Sequence, residues 1–287
     1  PRSRGVSVRC SMAKGNASNT SWDVCDRILA DAGEAEKPQP MTGEQLLFSE
    51  DGAMLQVSPI RLGLGALEQI LGLRPGEICE VYGGPGAGKT QLGLTVAACA
   101  AGAAHPVLFV TAKDHPSALA ERLHTILLGR KMNEAALDRL RIYQAMDFAD
   151  FAKIILSFGD TLKSQQNSKP LVVVDGLTSL LSPFTSASSW AHRWRLTWAW
   201  RALRQLAMPR GATMCGSCVL ILSHTVNEGT LALGQQWNPA ATRRLELSTG
   251  HLELQMAKRG IPVANGATQA ATAVDLVISD AGVCAET

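Results

Sequence analysis

From about Val57 onward the chain alternates short aliphatic runs with longer segments of mixed polarity. Ile78 to Tyr82, Val107 to Thr111, Leu140 to Tyr143, Leu171 to Asp175 and Val219 to Ser223 are such runs, and their bounding Gly, Pro and polar residues predict buried strands. Strands that are apolar on both faces need cover on both faces. The helix-like segments between them therefore predict an α/β fold, a mostly parallel central sheet with helices on either side. The last third reads differently. LELSTGHLELQMAK, Leu245 to Lys258, and AVDLVIS, Ala273 to Ser279, alternate apolar with polar residues and predict antiparallel strands at one edge near the C-terminus. The polar run Thr161 to Pro170 predicts a solvated loop before a buried strand. Residues 1 to 57 show little periodicity and carry a KPQPMTG break at Lys37 to Gly43, which predicts an N-terminal segment and linker, partly disordered, ahead of a core at 58 to 287.

One segment has two faces. In WAHRWRLTWAWRALRQLA, Trp190 to Ala207, a turn of about 100° per residue puts Leu196, Ala199, Ala202, Leu203, Leu206 and Ala207 on an aliphatic side. Trp190, Trp194, Trp198, Trp200, Arg193, Arg201 and Arg204 fall on the other. The aliphatic side predicts packing on the sheet. A surface mixing Trp with Arg suits base stacking, phosphate contact or a protein partner; alternatively, helix packing buries the rings and the arginines reach past them to water.

Composition narrows the classes. With 46% hydrophobic side chains, 287 residues can bury a full core, and a formal net charge of +2 is too small to announce nucleic-acid binding, so any basic surface is local. No apolar run reaches the roughly 18 residues of a membrane helix. The seven cysteines are scattered, as in a reducing compartment. Cys215-Gly-Ser-Cys218 is the one close pair, without a second pair or His at zinc-ligand spacing. Arg2, Arg4, Arg9 and Lys14 stand among the first 20 residues with no acid, the bias of an organelle transit peptide or of a basic tail.

Chemistry enters at GGPGAGKTQ, Gly83 to Gln91. Gly83, Gly84, Pro85, Gly86, Ala87, Gly88, Lys89 and Thr90 make a complete phosphate-binding loop between a predicted strand and a predicted helix, the context that gives the motif its meaning. Glycines let successive backbone N–H groups converge on a phosphate at a helix N-terminus. From that exposed loop Lys89 reaches the β- and γ-phosphates of ATP, and the Thr90 hydroxyl holds Mg²⁺. LVVVDG, Leu171 to Gly176, is an aliphatic strand tipped by Asp175, which places a carboxylate where open α/β sheets bind ligands and assigns it to the Mg²⁺ shell.

Beyond these motifs the chain resembles the RecA-like strand-exchange recombinases, P-loop NTPases, and among them the eukaryotic recombinase paralogues. The resemblance runs from about Pro59 to Val283, through LGLGALEQILG and LRPGEICEVYGGPGAGKTQL. RIYQAMDFADFAKIILSF, LVVVDGLTSLLSP, VLILSHTV and LALGQQW are most similar to the D-type paralogues. It implies that Arg122 stacks on the adenine, that Gln91 lines the nucleotide site with the phosphate loop, that His224 senses the γ-phosphate, and that Ser182 to Ser189 and Val226 to Ala240 are DNA-binding loops. It also implies DNA repair by homologous recombination, single-stranded DNA and other paralogues or the main recombinase as partners in a hetero-oligomer, and the nucleus as location. One departure matters. Active relatives carry a glutamate after the second core strand to orient the attacking water, whereas here VLFVT runs into Ala112-Lys113-Asp114. A charged lysine accepts no proton, so either Asp114 substitutes or DNA-dependent ATP hydrolysis is weak. The other readings left open are a fully active recombinase or hexameric helicase of a mitochondrion or chloroplast, and a nucleotide-gated scaffold that binds no DNA.

Overall fold

A computed structural model describes residues 58–162, 169–181, 190–208, 216–227, 230–231, 241–257 and 273–285. The N-terminal segment 1–57, the first candidate DNA loop 182–189 and Cys215 lie outside the described residues.

Six parallel strands form the body of one sheet: β1 (Ile78–Gly83), β2 (Val107–Thr111), β3 (Leu140–Gln144), β4 (Leu171–Asp175), β5 (Cys218–Asn227) and β7 (Arg243–Ser248), in the order β3-β2-β4-β5-β1-β7. Beyond β7 the direction reverses. β8 (His251–Ala257), β9 (Ala273–Ser279) and β10 (Gly282–Ala285) continue it as antiparallel neighbours, the arrangement the alternating C-terminal pattern predicts. β5 runs longer than its aliphatic stretch because Thr225 and Asn227 pair with the two-residue strand β6 (Thr230–Leu231). The expected second loop thus begins as strand, and its remainder at 228–229 and 232–240 lies outside the described residues.

Helices cover both faces, and strand parity shows which. Val81, Phe109, Val173, Leu220 and Leu247 point into one core with α1 (Ala66–Leu71), α2 (Lys89–Gly102) and α3 (Pro116–Gly129). Leu108, Val110, Val172, Val174 and Ile221 point into the other, against α4 (Phe148–Leu162), α5 (Leu177–Leu181) and α6 (Trp190–Ala207). Each fully buried Leu, Ile, Val or Phe contributes about 1.5–3 kcal/mol, which explains why the strands are aliphatic on both faces.

The helix after the phosphate loop is buried on every side from Gln91 to Ala101, because the sheet lies beneath it while α3 and the β9–β10 hairpin flank it. Its small residues follow from that crowding: a Cβ on Gly93 would meet Leu222 Cδ1 at 2.6 Å. On the opposite face a buried ion pair ties three strands together. Glu80 of β1 is fully buried, accepts from Arg244 Nε of β7 at 2.7 Å, and accepts from the Ser223 hydroxyl of β5 at 2.7 Å.

Candidate nucleotide-binding site

The phosphate loop leaves the C-terminal end of β1 and enters α2, with Gly86 and Gly88 in the left-handed region at φ 77° and 92°. Gly83 is required for a different reason. A Cβ there would run into the Leu247 carbonyl oxygen of the neighbouring strand β7. α2 therefore presents its N-terminal N–H groups and positive dipole end to the loop. The loop is exposed at Pro85 and Gly86, as expected, but its lysine is not. Lys89 is only 5% exposed, and its Nζ donates to the carbonyls of Gly83 at 2.9 Å and Gly84 at 2.6 Å. The ammonium is held inside the loop by these two carbonyls.

Asp175 stands at the end of β4, 2% exposed, and accepts the Thr90 hydroxyl proton on Oδ2 at 2.6 Å. Thr90 stands in the first turn of α2, and two residues far apart in sequence meet because α2 packs over β4. Burial pushes the Asp175 carboxyl above its usual range; the Thr90 hydrogen bond and the charges of Lys113 and Lys89 oppose this, while nearby Asp114 adds to it. Lys89 is pushed down, first by burial and then by the Lys113 charge, against the pull of Asp175. The hydroxyl and carboxylate are hard oxygen ligands of the kind Mg²⁺ takes, so this pair fits the ion expected of the motif. When bound, Mg²⁺ would supply charge neutralisation on the β- and γ-phosphates.

The other candidates converge on the same edge. β2 pairs with β4, so Thr111 stands level with Asp175, and the turn after it carries exposed Lys113 and half-buried Asp114 beside the carboxylate. His224, half-buried, stands level with Gly83 across β5 and β1. Arg122 donates to Gln91 Oε1 at 2.7 Å, while Gln91 Nε2 donates to the Ser279 carbonyl at 2.8 Å. That chain of contacts joins α3, α2 and β9 at the loop's rim.

Sequence reasoning missed one neighbour, Ile278. A Cβ on Gly88 would collide with Ile278 Cδ1, so β9 closes on the phosphate loop itself. The signal was present in AVDLVIS, where period two aligns Ile278 with buried Val274 and Leu276. What the period does not reveal is that the strand outruns its core and ends over the loop.

No family model matches the chain. Among curated proteins, the mouse "DNA repair protein RAD51 homolog 4" is 28% identical over 201 residues, covering 64% of this chain and 59% of that protein. The bovine protein of the same name is 28% identical over 203 residues, covering 65% and 60%. The chain is distantly similar to these proteins over that stretch. It spans about three fifths of their length. The mostly parallel sheet with its antiparallel C-terminal edge is consistent with a RecA-like core.

The Trp/Arg helix packs on the opposite face of the sheet from α2. Leu196, Ala199, Ala202, Leu203, Leu206 and Ala207 of α6 are all buried, as the periodicity predicts. Trp194, Trp198 and Trp200 are half-buried against the same core, and Trp194 and Trp198 stand edge-on to Phe148 of α4 at 6.2 and 5.4 Å. Arg201 and Arg204 are exposed, whereas the side chains of Trp190 and Arg193 lie outside the described residues. The rings therefore serve the α4–α6 packing with part of their surface, and the exposed cations sit along the same helix. Among the described residues no three His, Cys, Asp or Glu side chains cluster as a metal site, Cys218 is buried and free, and no helix is long and apolar enough to cross a membrane.

Proposed function

We propose that this chain is an ATP-binding recombinase paralogue that assists homologous-recombination DNA repair, engages single-stranded DNA, and turns ATP over weakly. The observation that carries the nucleotide reading is the 2.6 Å contact between Thr90 and Asp175 beside the buried Lys89, a phosphate loop and a metal-shell carboxylate brought together in a RecA-like core. In this reading residues 58–287 are the ATPase core. The loop amides and Lys89 hold the phosphates, Thr90 and Asp175 hold Mg²⁺, and Arg122 with Gln91 borders the adenine. Weak turnover follows from the tip of β2, where Lys113 offers no lone pair to a water and Asp114 shares its environment with Asp175.

DNA repair as the setting, other paralogues and the main recombinase as partners in a hetero-oligomer, and the nucleus as location rest on the homology to proteins named for DNA repair. Single-stranded DNA then has two candidate contacts, the segments after β4 and β5 and the exposed arginines of α6.

The deciding experiment measures nucleotide affinity and ATPase rate with and without single-stranded DNA. Wild type is expected to bind ATP, and Lys89→Ala to lose that binding while remaining folded by circular dichroism. Unchanged ATP affinity in a folded Lys89→Ala protein would end the nucleotide reading. Brisk turnover by wild type would replace the weak-ATPase paralogue with a fully active recombinase.

A further inference from the structure

The tip of β2 carries a cation that the phosphate-loop motif does not call for. Three observations fix where it lies. Thr111 pairs with Asp175 across β2 and β4, and the Ala112 N–H donates to the Asp175 carbonyl at 2.9 Å, so the strands stay in register to their ends. The Thr111 hydroxyl accepts from the backbone N–H groups of Lys113 at 3.1 Å and Asp114 at 3.2 Å, which holds the turn that projects Lys113. The lysine chain then runs along Gly176, its Cγ and Cε at 3.3 and 3.2 Å from where a Cβ on Gly176 would stand. Gly176, at φ 86°, leaves the room this path needs.

Lys113 thus follows the floor of the site between β2 and β4, and its charge acts on both Asp175 and Lys89. Lys89 is bonded within the loop on the β1 side. A phosphate loop grips the β-phosphate, and a terminal phosphate extends beyond it toward the strand ends. A diphosphate stops at the loop.

Resting on the nucleotide reading above, we propose that Lys113 is a specificity-determining residue of this site: its ammonium meets the terminal phosphate of a nucleoside triphosphate and makes the site prefer triphosphate over diphosphate. The site becomes a switch read by occupancy more than by turnover.

The test uses titration calorimetry of the full chain with Mg²⁺ at fixed ionic strength. ADP is compared with the β,γ-imido analogue of ATP, which is not hydrolysed. Lys113→Gln is expected to weaken the triphosphate analogue by about tenfold or more, the loss of one charge-assisted hydrogen bond, while ADP affinity stays within about twofold. Lys113→Arg is expected to keep the preference. Because Lys113 is exposed, thermal melts of both variants should match wild type. Equal losses for the two nucleotides, or no loss for either, would overturn the proposal. A wild-type chain that binds neither nucleotide overturns the reading beneath it instead.

Discussion

Asp175 shows how one residue can serve function against stability. Its carboxylate is buried, so ionisation is disfavoured in the free protein, and the Thr90 hydroxyl and nearby lysines only partly offset this. A carboxyl whose folded pKa is raised binds its proton more tightly when folded. The stability this gives is fully present below the ordinary carboxylate range and is lost as pH rises through the raised value. At neutral pH the ionised group is therefore a load on the fold. Asp175→Asn is expected to raise Tm at pH 7, with an advantage over wild type that shrinks as pH falls toward the carboxylate range, and to abolish the Mg²⁺ dependence of nucleotide affinity. Melting curves across pH, paired with nucleotide titrations with and without Mg²⁺, check both halves. A lower Tm for Asp175→Asn at pH 7 would show that its partners outweigh its burial.

At the level of elements, α6 carries two surfaces that separate by residue. Trp194 lies half-buried against Phe148, so Trp194→Ala is expected to destabilise the fold by roughly 2 kcal/mol, below the ~3–5 kcal/mol of a fully buried large aromatic. Arg201 and Arg204 are exposed, and replacing both with Ala is expected to leave Tm unchanged. If they meet phosphates, the same double variant weakens single-stranded DNA binding and flattens its salt dependence by about 1.4 units, at roughly 0.7 per phosphate. Thermal melts with salt titrations of a fluorescent oligonucleotide read the two effects independently. An unaltered salt slope in the folded double variant takes α6 off the DNA path and leaves its cations to a protein neighbour.

Across the whole molecule, stability depends on how the phosphate-loop strand is tied to its neighbours. β1 lies between β5 and β7, and the Glu80–Arg244 pair with Ser223 crosses all three strands on the α4–α6 side. Removing one partner strands a buried charge. Arg244→Ala is expected to lower unfolding stability by about 3–5 kcal/mol, and Glu80→Gln in that background to recover part of it by removing the orphaned charge. Denaturant titrations of the single and double variants provide the check. Additive losses would mean that the pair is not coupled. On the other side, the β9–β10 hairpin holds α2 through Gln91 and through the Val283 N–H, which donates to Thr95 Oγ1 at 3.0 Å. Loop, helix and C-terminal edge are thereby mechanically joined.

The chain's own order of residues determined the strands from Ile78, Val107, Leu140, Leu171 and Val219, the antiparallel C-terminal edge, the two-faced helix at 190–207, and the phosphate loop with its acid-tipped strand. Each is a local matter: side-chain period, bounding turn residues and motif spacing all lie within one element. Only the tertiary structure decided that Lys89 is folded into its own loop, that Glu80 finds Arg244, that Gly83 is small because of Leu247, and that Ile278 rests over Gly88. These depend on which strands become neighbours. Strand order in a sheet is set by the joint packing of helices on two faces, and no single stretch of residues encodes it.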